Sequence, residues 1–163
     1  MIVTLSYAEI QIAYAVGSQR QVYGMKSGSV HRHGAAGLEH AIAFDLIGSS
    51  GEMAVAKALN LYWGIEMNNT TIDVGGMVEV RTVTRDDKRL ILHKDDKADL
   101  PYVLVCNKLK TNEFWLKGWI FGREGMLEEY WADPQKTNRH AYFVPDSKLR
   151  PIEELKAWVK NER

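Results

Sequence analysis

The spacing of apolar residues divides this chain into a helical first third, a strand-rich middle and a helical end. Leu5, Ala8, Ile12 and Ala15 recur at helical spacing and predict a helix over residues 3–16, with a polar continuation from Gly17 to Gln21. Lys26 to Gly37, rich in glycine and serine around His31-Arg32-His33, reads as a loop. Leu38 to Ile47 predicts a second, short helix, broken by Gly48-Ser49-Ser50-Gly51. A third helix over residues 52–63 carries Ala54, Val55, Ala58, Leu59 and Tyr62 on one face, and Gly64 is placed to end it.

From Thr70 the period changes. Thr71–Val74 and Met77–Thr84 flank Gly75-Gly76 and predict a hairpin. Arg89–His93, the wholly apolar Tyr102–Asn107 and Glu113–Phe121 predict three further strands, and Lys94–Leu100 a polar loop or short helix. Residues 122–130 suit a helical turn, Ala141–Val144 a short strand, and Pro151–Lys160 a closing helix with proline at its first position. Helices, then an antiparallel-rich sheet, then a helix define an α+β fold. One domain over residues 1–163 is expected, with N-terminal helices at 1–48, a core at 49–145 and a C-terminal helix at 146–163.

Composition narrows the partners. Lys plus Arg and Asp plus Glu are both 21, so the formal net charge is zero. That argues against a tail-driven nucleic-acid binder, but not against a local basic groove balanced elsewhere. Cys106 is the single cysteine, so no disulfide can form within the chain, and its apolar setting predicts a small buried hydrophobe. A reducing, cytoplasmic setting is expected. No apolar run reaches membrane-spanning length, and the first residues lack the basic segment of a signal peptide.

The costly pattern is Asp73-Val74-Gly75-Gly76-Met77-Val78-Glu79-Val80-Arg81-Thr82. Charged groups on an apolar strand are unfavourable unless something pairs with them. Glu79 and Arg81 point to one face. A two-residue Gly75-Gly76 turn would set Asp73 opposite Val78, whereas a three-residue loop would set it opposite Glu79; the pattern alone leaves both open. Two carboxylates on one face, with a carbonyl and water, suit Mg²⁺, and Arg81 could hold a phosphate oxygen. The plainer reading is a cross-strand ion pair. Glu52 likewise has a local explanation, since Ser49-Ser50-Gly51-Glu52 has capping-box spacing.

The order of these features resembles the PD-(D/E)XK nuclease superfamily, the restriction-endonuclease-like fold. A helix opening with an acid (Gly51-Glu52-Met53-Ala54-Val55-Ala56) precedes Asp73, and a hairpin leads to Glu79-Val80-Arg81. Phe114–Gly122, and Ala141–Pro145 into Leu149-Arg150-Pro151, look like segments of small phage and restriction-type members. The resemblance implies a mixed central sheet flanked by helices with an N-terminal helical extension. It also implies metal-dependent phosphodiester hydrolysis, usually of DNA, with Asp73, Glu79 and Glu52 as ligands to Mg²⁺, which Mn²⁺ can replace. Arg81 stands where the family pattern has lysine. It cannot deprotonate, so it is confined to phosphate binding or transition-state charge. That departure also fits a fold that has lost its activity. A homodimer that clamps duplex DNA is compatible with so small a chain.

Other residues have weaker claims. His93 and Lys94 could stand in for the missing lysine. His31 and Arg32, with Arg20 and Lys26, could reach a phosphate backbone. Asp95, Asp96 and Asp99 read as a solvent-facing acidic loop. Trp115, Lys117 and Trp119 share a face by alternation, and Trp63, Trp131 and Trp158 read as core anchors.

Overall fold

The computed structural model describes residues 1–27, 38–65, 71–107 and 111–162. Its elements are β1 (Ile2–Thr4), α1 (Tyr7–Ser27), α2 (Leu38–Leu59), β2 (Glu79–Val83), β3 (Leu90–Leu92), β4 (Pro101–Cys106), β5 (Glu113–Phe121), α3 (Gly122–Gly125), β6 (Trp131–Ala132), β7 (Ala141–Val144) and α4 (Ile152–Glu162). The fold is α+β, with two sheets. The larger is mixed, in the order β1-β5-β4-β2, with β2 parallel to β4 and the other pairs antiparallel. The smaller is antiparallel, in the order β3-β7-β6.

β4 explains the layering. All six of its residues are buried. Val103 and Val105 face a helical layer in which Val16 of α1, Val55 and Leu59 of α2 and Leu155 and Val159 of α4 share one core. Tyr102 and Leu104 face the smaller sheet, packing with Leu90, Leu92 and Val144. A strand covered on both sides reads as an unbroken apolar run. Helices thus cover one face of the central sheet and a second sheet covers the other, rather than helices flanking both.

Three sequence expectations are corrected. Residues 2–4 form a strand rather than a helix start, because Ile2, Val3 and Thr4 pair with Trp115, Phe114 and Glu113 of β5. α2 runs unbroken through Gly48-Ser49-Ser50-Gly51. The serine hydroxyls donate back to Asp45 O and Leu46 O, at 2.5 and 2.8 Å, which lets them sit inside a helix. Gly51 is there for space, since a Cβ would lie 1.9 Å from Thr82 Oγ1 on β2. Ser49 and Glu52 therefore form no capping box, being mid-helix.

Smaller differences concern register. Leu104 pairs with Gly118 but Val105 with Leu116, which leaves Lys117 as an extra residue in β5. This bulge turns Trp119 into the core while Trp115 stays exposed, so the two do not share a face. The predicted third strand lies in the smaller sheet, as β3. Lys26 belongs to α1, whereas His31, Arg32 and His33 lie outside the described residues. Trp63 and Trp158 are anchored in the core, and Trp131 packs between His140 and Tyr142.

Candidate functional site

β2 is an edge strand of the central sheet, and the candidate site lies on that edge. Its position depends on the Gly75-Gly76 turn. Both glycines adopt positive φ, 61° and 67°, a conformation that disfavours side chains. Val74 and Val78 exchange backbone hydrogen bonds of 3.0 and 3.1 Å across it. The loop therefore spans residues 75–77, and the three-residue register holds. Asp73 falls beside the first residues of β2, and its Oδ2 accepts from Val80 N–H at 2.8 Å.

Val80 points to the helical core. Glu79 and Arg81 project from the other face of β2, on either side of it. The Arg81 guanidinium donates to Glu79 Oε2 at 3.3 Å and to both carboxylate oxygens of Asp96 at 3.1 Å, and it lies 5.1 Å from the centre of the Tyr102 ring. Asp96 also accepts from His93 N–H at 2.9 Å. Its side chain is only 8% exposed, so the expectation of a solvent-facing residue is corrected. Burial opposes the Arg81 charge, but Asp96, Asp73 and Glu79 outweigh it and hold its pKa above the usual value.

Glu52 enters from the middle of α2 and is 7% exposed. Its Oε1 accepts from Arg20 at 2.6 Å and its Oε2 from the Trp63 indole at 2.9 Å. Both oxygens are thus engaged by buried donors, one from α1 and one from just beyond α2.

Asp73 differs. Burial raises its pKa well above the usual carboxylate range, and the negative charges of Glu52 and then Glu79 raise it further. The Val80 N–H and the Arg81 charge oppose this but do not prevail. Glu79 is raised as well, by burial first, with Arg81 opposing and Asp96 adding to the shift. Among the described residues Asp73 forms no ion pair. Asp73 is thus near enough to both Glu52 and Glu79 to feel their charge. Even so, among the described residues no group of three His, Cys, Asp or Glu side chains is placed to hold a metal ion.

The remaining candidates separate. Lys94 sits 4.4 Å from the centre of the Trp131 ring, on the smaller sheet's side. His93 reaches the site through its backbone bond to Asp96. The cation whose charge acts on Glu79 besides Arg81 is Lys97. Lys97 also lines a cavity of about 360 Å³ with Tyr62, Ile72, Gly75 and Gly76. Arg20, Trp63, Asp96 and Lys97 were not foreseen as partners of the acids. Arg20 lies 32 residues from Glu52, and no local pattern joins them.

Comparison with family models, with curated proteins and with solved structures finds no match to this chain. No helix among the described residues is long and apolar enough to cross a membrane.

Proposed function

We propose that this chain is a divalent-metal-dependent nuclease with a restriction-endonuclease-like core, hydrolysing phosphodiester bonds in DNA. The observation that carries the reading is the placing of Asp73 within reach of the Glu79 charge at the edge strand of the central sheet, where Asp73 forms no ion pair among the described residues. Both carboxylates are raised by burial, and the charge of Glu79 raises Asp73 further, so added positive charge would favour the ionised form of each. A hard cation with oxygen preference matches that donor set. Asp73 and Glu79 are the residues that would hold it. Glu52 contributes its charge from the helix side, since its own oxygens are occupied by Arg20 and Trp63.

When bound, such an ion supplies positive charge against the phosphate and makes a water more acidic. The side chains do the rest. Arg81 stays charged and can neutralise a phosphate oxygen, but only by loosening the Nη2 contact that it shares between the two Asp96 oxygens. Lys97, beside Glu79, offers a second cation to the same phosphate.

A second reading, a nuclease-like fold that binds nucleic acid or serves a structural role without turnover, is favoured by one observation. Arg81 and Glu52 are already closed into pairs with Asp96 and Arg20. Incubation of circular and linear DNA with Mg²⁺, Mn²⁺ or EDTA, beside Glu79→Ala protein, decides between them. The nuclease reading expects metal-dependent cleavage that Glu79→Ala abolishes. Well-folded protein that cleaves neither duplex nor single strands with either metal would leave the second reading standing.

A further inference from the structure

The cavity of about 360 Å³ beside the acids has the size of a small-ligand site, for which roughly 300–1,000 Å³ is usual. Its lining joins three kinds of surface. Tyr62 supplies an aromatic ring, Lys97 a cation, and Gly64, Gly75 and Gly76 bare backbone.

The two side chains that could recognise a ligand stand on fixed backbone. Trp63 forms a β-bridge with Val74, and Tyr62 O accepts from Gly75 N–H at 2.9 Å, so residues 62–63 are tied to the chain that carries Asp73. The Trp63 side chain turns inward to Glu52, and Tyr62, its chain neighbour, turns outward and is 77% exposed. At Lys97 the backbone N–H donates to the hydroxyl of the buried Tyr102 at 2.9 Å, and the carbonyl accepts from the same hydroxyl at 3.2 Å. Lys97 is itself exposed, and its ammonium forms no ion pair among the described residues. Its charge acts on Glu79. The cavity thus adjoins the acids on two sides, through Lys97 and through the turn that follows Asp73.

An outward aromatic ring and a cation on one cavity suit a ligand that has both a flat ring and an anion. A nucleotide has both: its base can stack on the phenol ring, and its phosphate can pair with the ammonium. The form of the nucleic acid follows from the charge available. A duplex keeps its bases stacked on one another and presents closely spaced phosphates, which call for several cations. Around the acids the other cations are engaged, Arg81 by Asp96 and Arg20 by Glu52. Stacking must then contribute much of the affinity, and a base is free to stack on a protein ring only in a single strand or when turned out of a duplex.

We infer, resting on the nuclease reading above, that this cavity receives an unstacked base of single-stranded DNA, with the base on Tyr62 and the adjoining phosphate held by Lys97 beside Asp73 and Glu79. Fluorescence anisotropy with an end-labelled oligonucleotide measures the binding, in EDTA and on the Glu79→Ala background, so that no cleavage intervenes and one repelling carboxylate is absent. Single-stranded DNA is expected to bind at least tenfold more tightly than the same sequence as a duplex, or than a strand of abasic sites. Adding Tyr62→Ala is expected to weaken single-strand binding about tenfold, the loss of one stacked base, whereas Tyr62→Phe retains it. Lys97→Ala is expected to weaken it and to lower the slope of its salt dependence by about 0.7. Circular dichroism confirms the folding of each variant. Tighter binding of the duplex, equal binding of the abasic strand, or unchanged binding by the Tyr62→Ala protein overturns the inference. Metal-dependent cleavage by a protein whose binding is indifferent to Tyr62 overturns the cavity alone. Tyr62-dependent binding by a protein that cleaves with neither metal supports the cavity and removes only the turnover.

Discussion

Glu52 and Asp73 are two acids of one cluster, and their surroundings are opposite. Glu52 sits inside a helix with both carboxylate oxygens engaged, by Arg20 and by Trp63. Asp73 sits at a glycine turn, bonded to one backbone N–H and pushed toward its neutral form by burial and by the other acids. The first acid ties α1, α2 and the chain beyond α2 together. The second, when ionised, is a cost to folding that a proton or a further cation would relieve. A carboxylate kept where its charge is unfavourable is the stronger pointer to chemistry, because the single bond from Val80 N–H does not offset the shift toward its neutral form.

The comparison breaks most easily on the Glu52 side. Glu52→Ala removes the acceptor that both the Arg20 guanidinium and the Trp63 indole use. It is expected to destabilise by about 3 kcal/mol, a melting temperature lower by roughly 6–12 °C, read by calorimetry. If Glu52→Ala melts with the wild type, the acid is not structural and the contrast fails. Divalent metal addresses the other side. At a hundred times its dissociation constant Mg²⁺ is expected to stabilise the wild type by about 2.7 kcal/mol, or roughly 5–10 °C. The Asp73→Asn protein should show no such rise. An equal rise in both proteins would move the ion away from Asp73.

Arg81 links the two halves. Arg81→Ala strands Asp96, whose side chain is nearly buried, and is expected to cost about 2 kcal/mol in chemical denaturation. Arg81→Lys should recover part of this but not the fork that reaches Glu79 and Asp96 through separate nitrogens. The smallest effect is also the most telling in sign. Asp73→Asn keeps an oxygen for the Val80 N–H and removes the charge. Because the folded state holds the Asp73 proton to higher pH than the unfolded chain, wild-type stability should fall as pH rises from the ordinary carboxylate range through the elevated one. Metal-free Asp73→Asn should therefore match the wild type at the acid end of that window and exceed it at neutral pH. Melting curves across pH check this, and an Asn variant less stable at neutral pH would show that the charged form is the favoured one.

Much of the local structure was legible in the chain. β5 and β7 have the bounds that their apolar pattern predicts, and β4 was evident as an unbroken apolar run. These elements depend on burial on one or both faces, which periodicity records. The two errors near the amino terminus share a cause. Ile2–Thr4 is drawn into a strand by β5, more than a hundred residues away, and Gly51 is retained in α2 by Thr82 rather than ending it. In each, a distant contact overrode a local preference.

The candidate site divides along the same line. The sequence by itself determined which acids are costly, that Glu79 and Arg81 share a face, and that Asp73 could reach them in one of two registers. Strand alternation and the expense of buried charge suffice for that. Tertiary structure alone decided the three-residue register, the closure of Arg81 onto Asp96, and the capture of Glu52 by Arg20 and Trp63. The register turns on a single residue of slip at the glycine turn, and the other pairings join groups 11 to 32 residues apart, separations that leave no periodic trace in the order of residues.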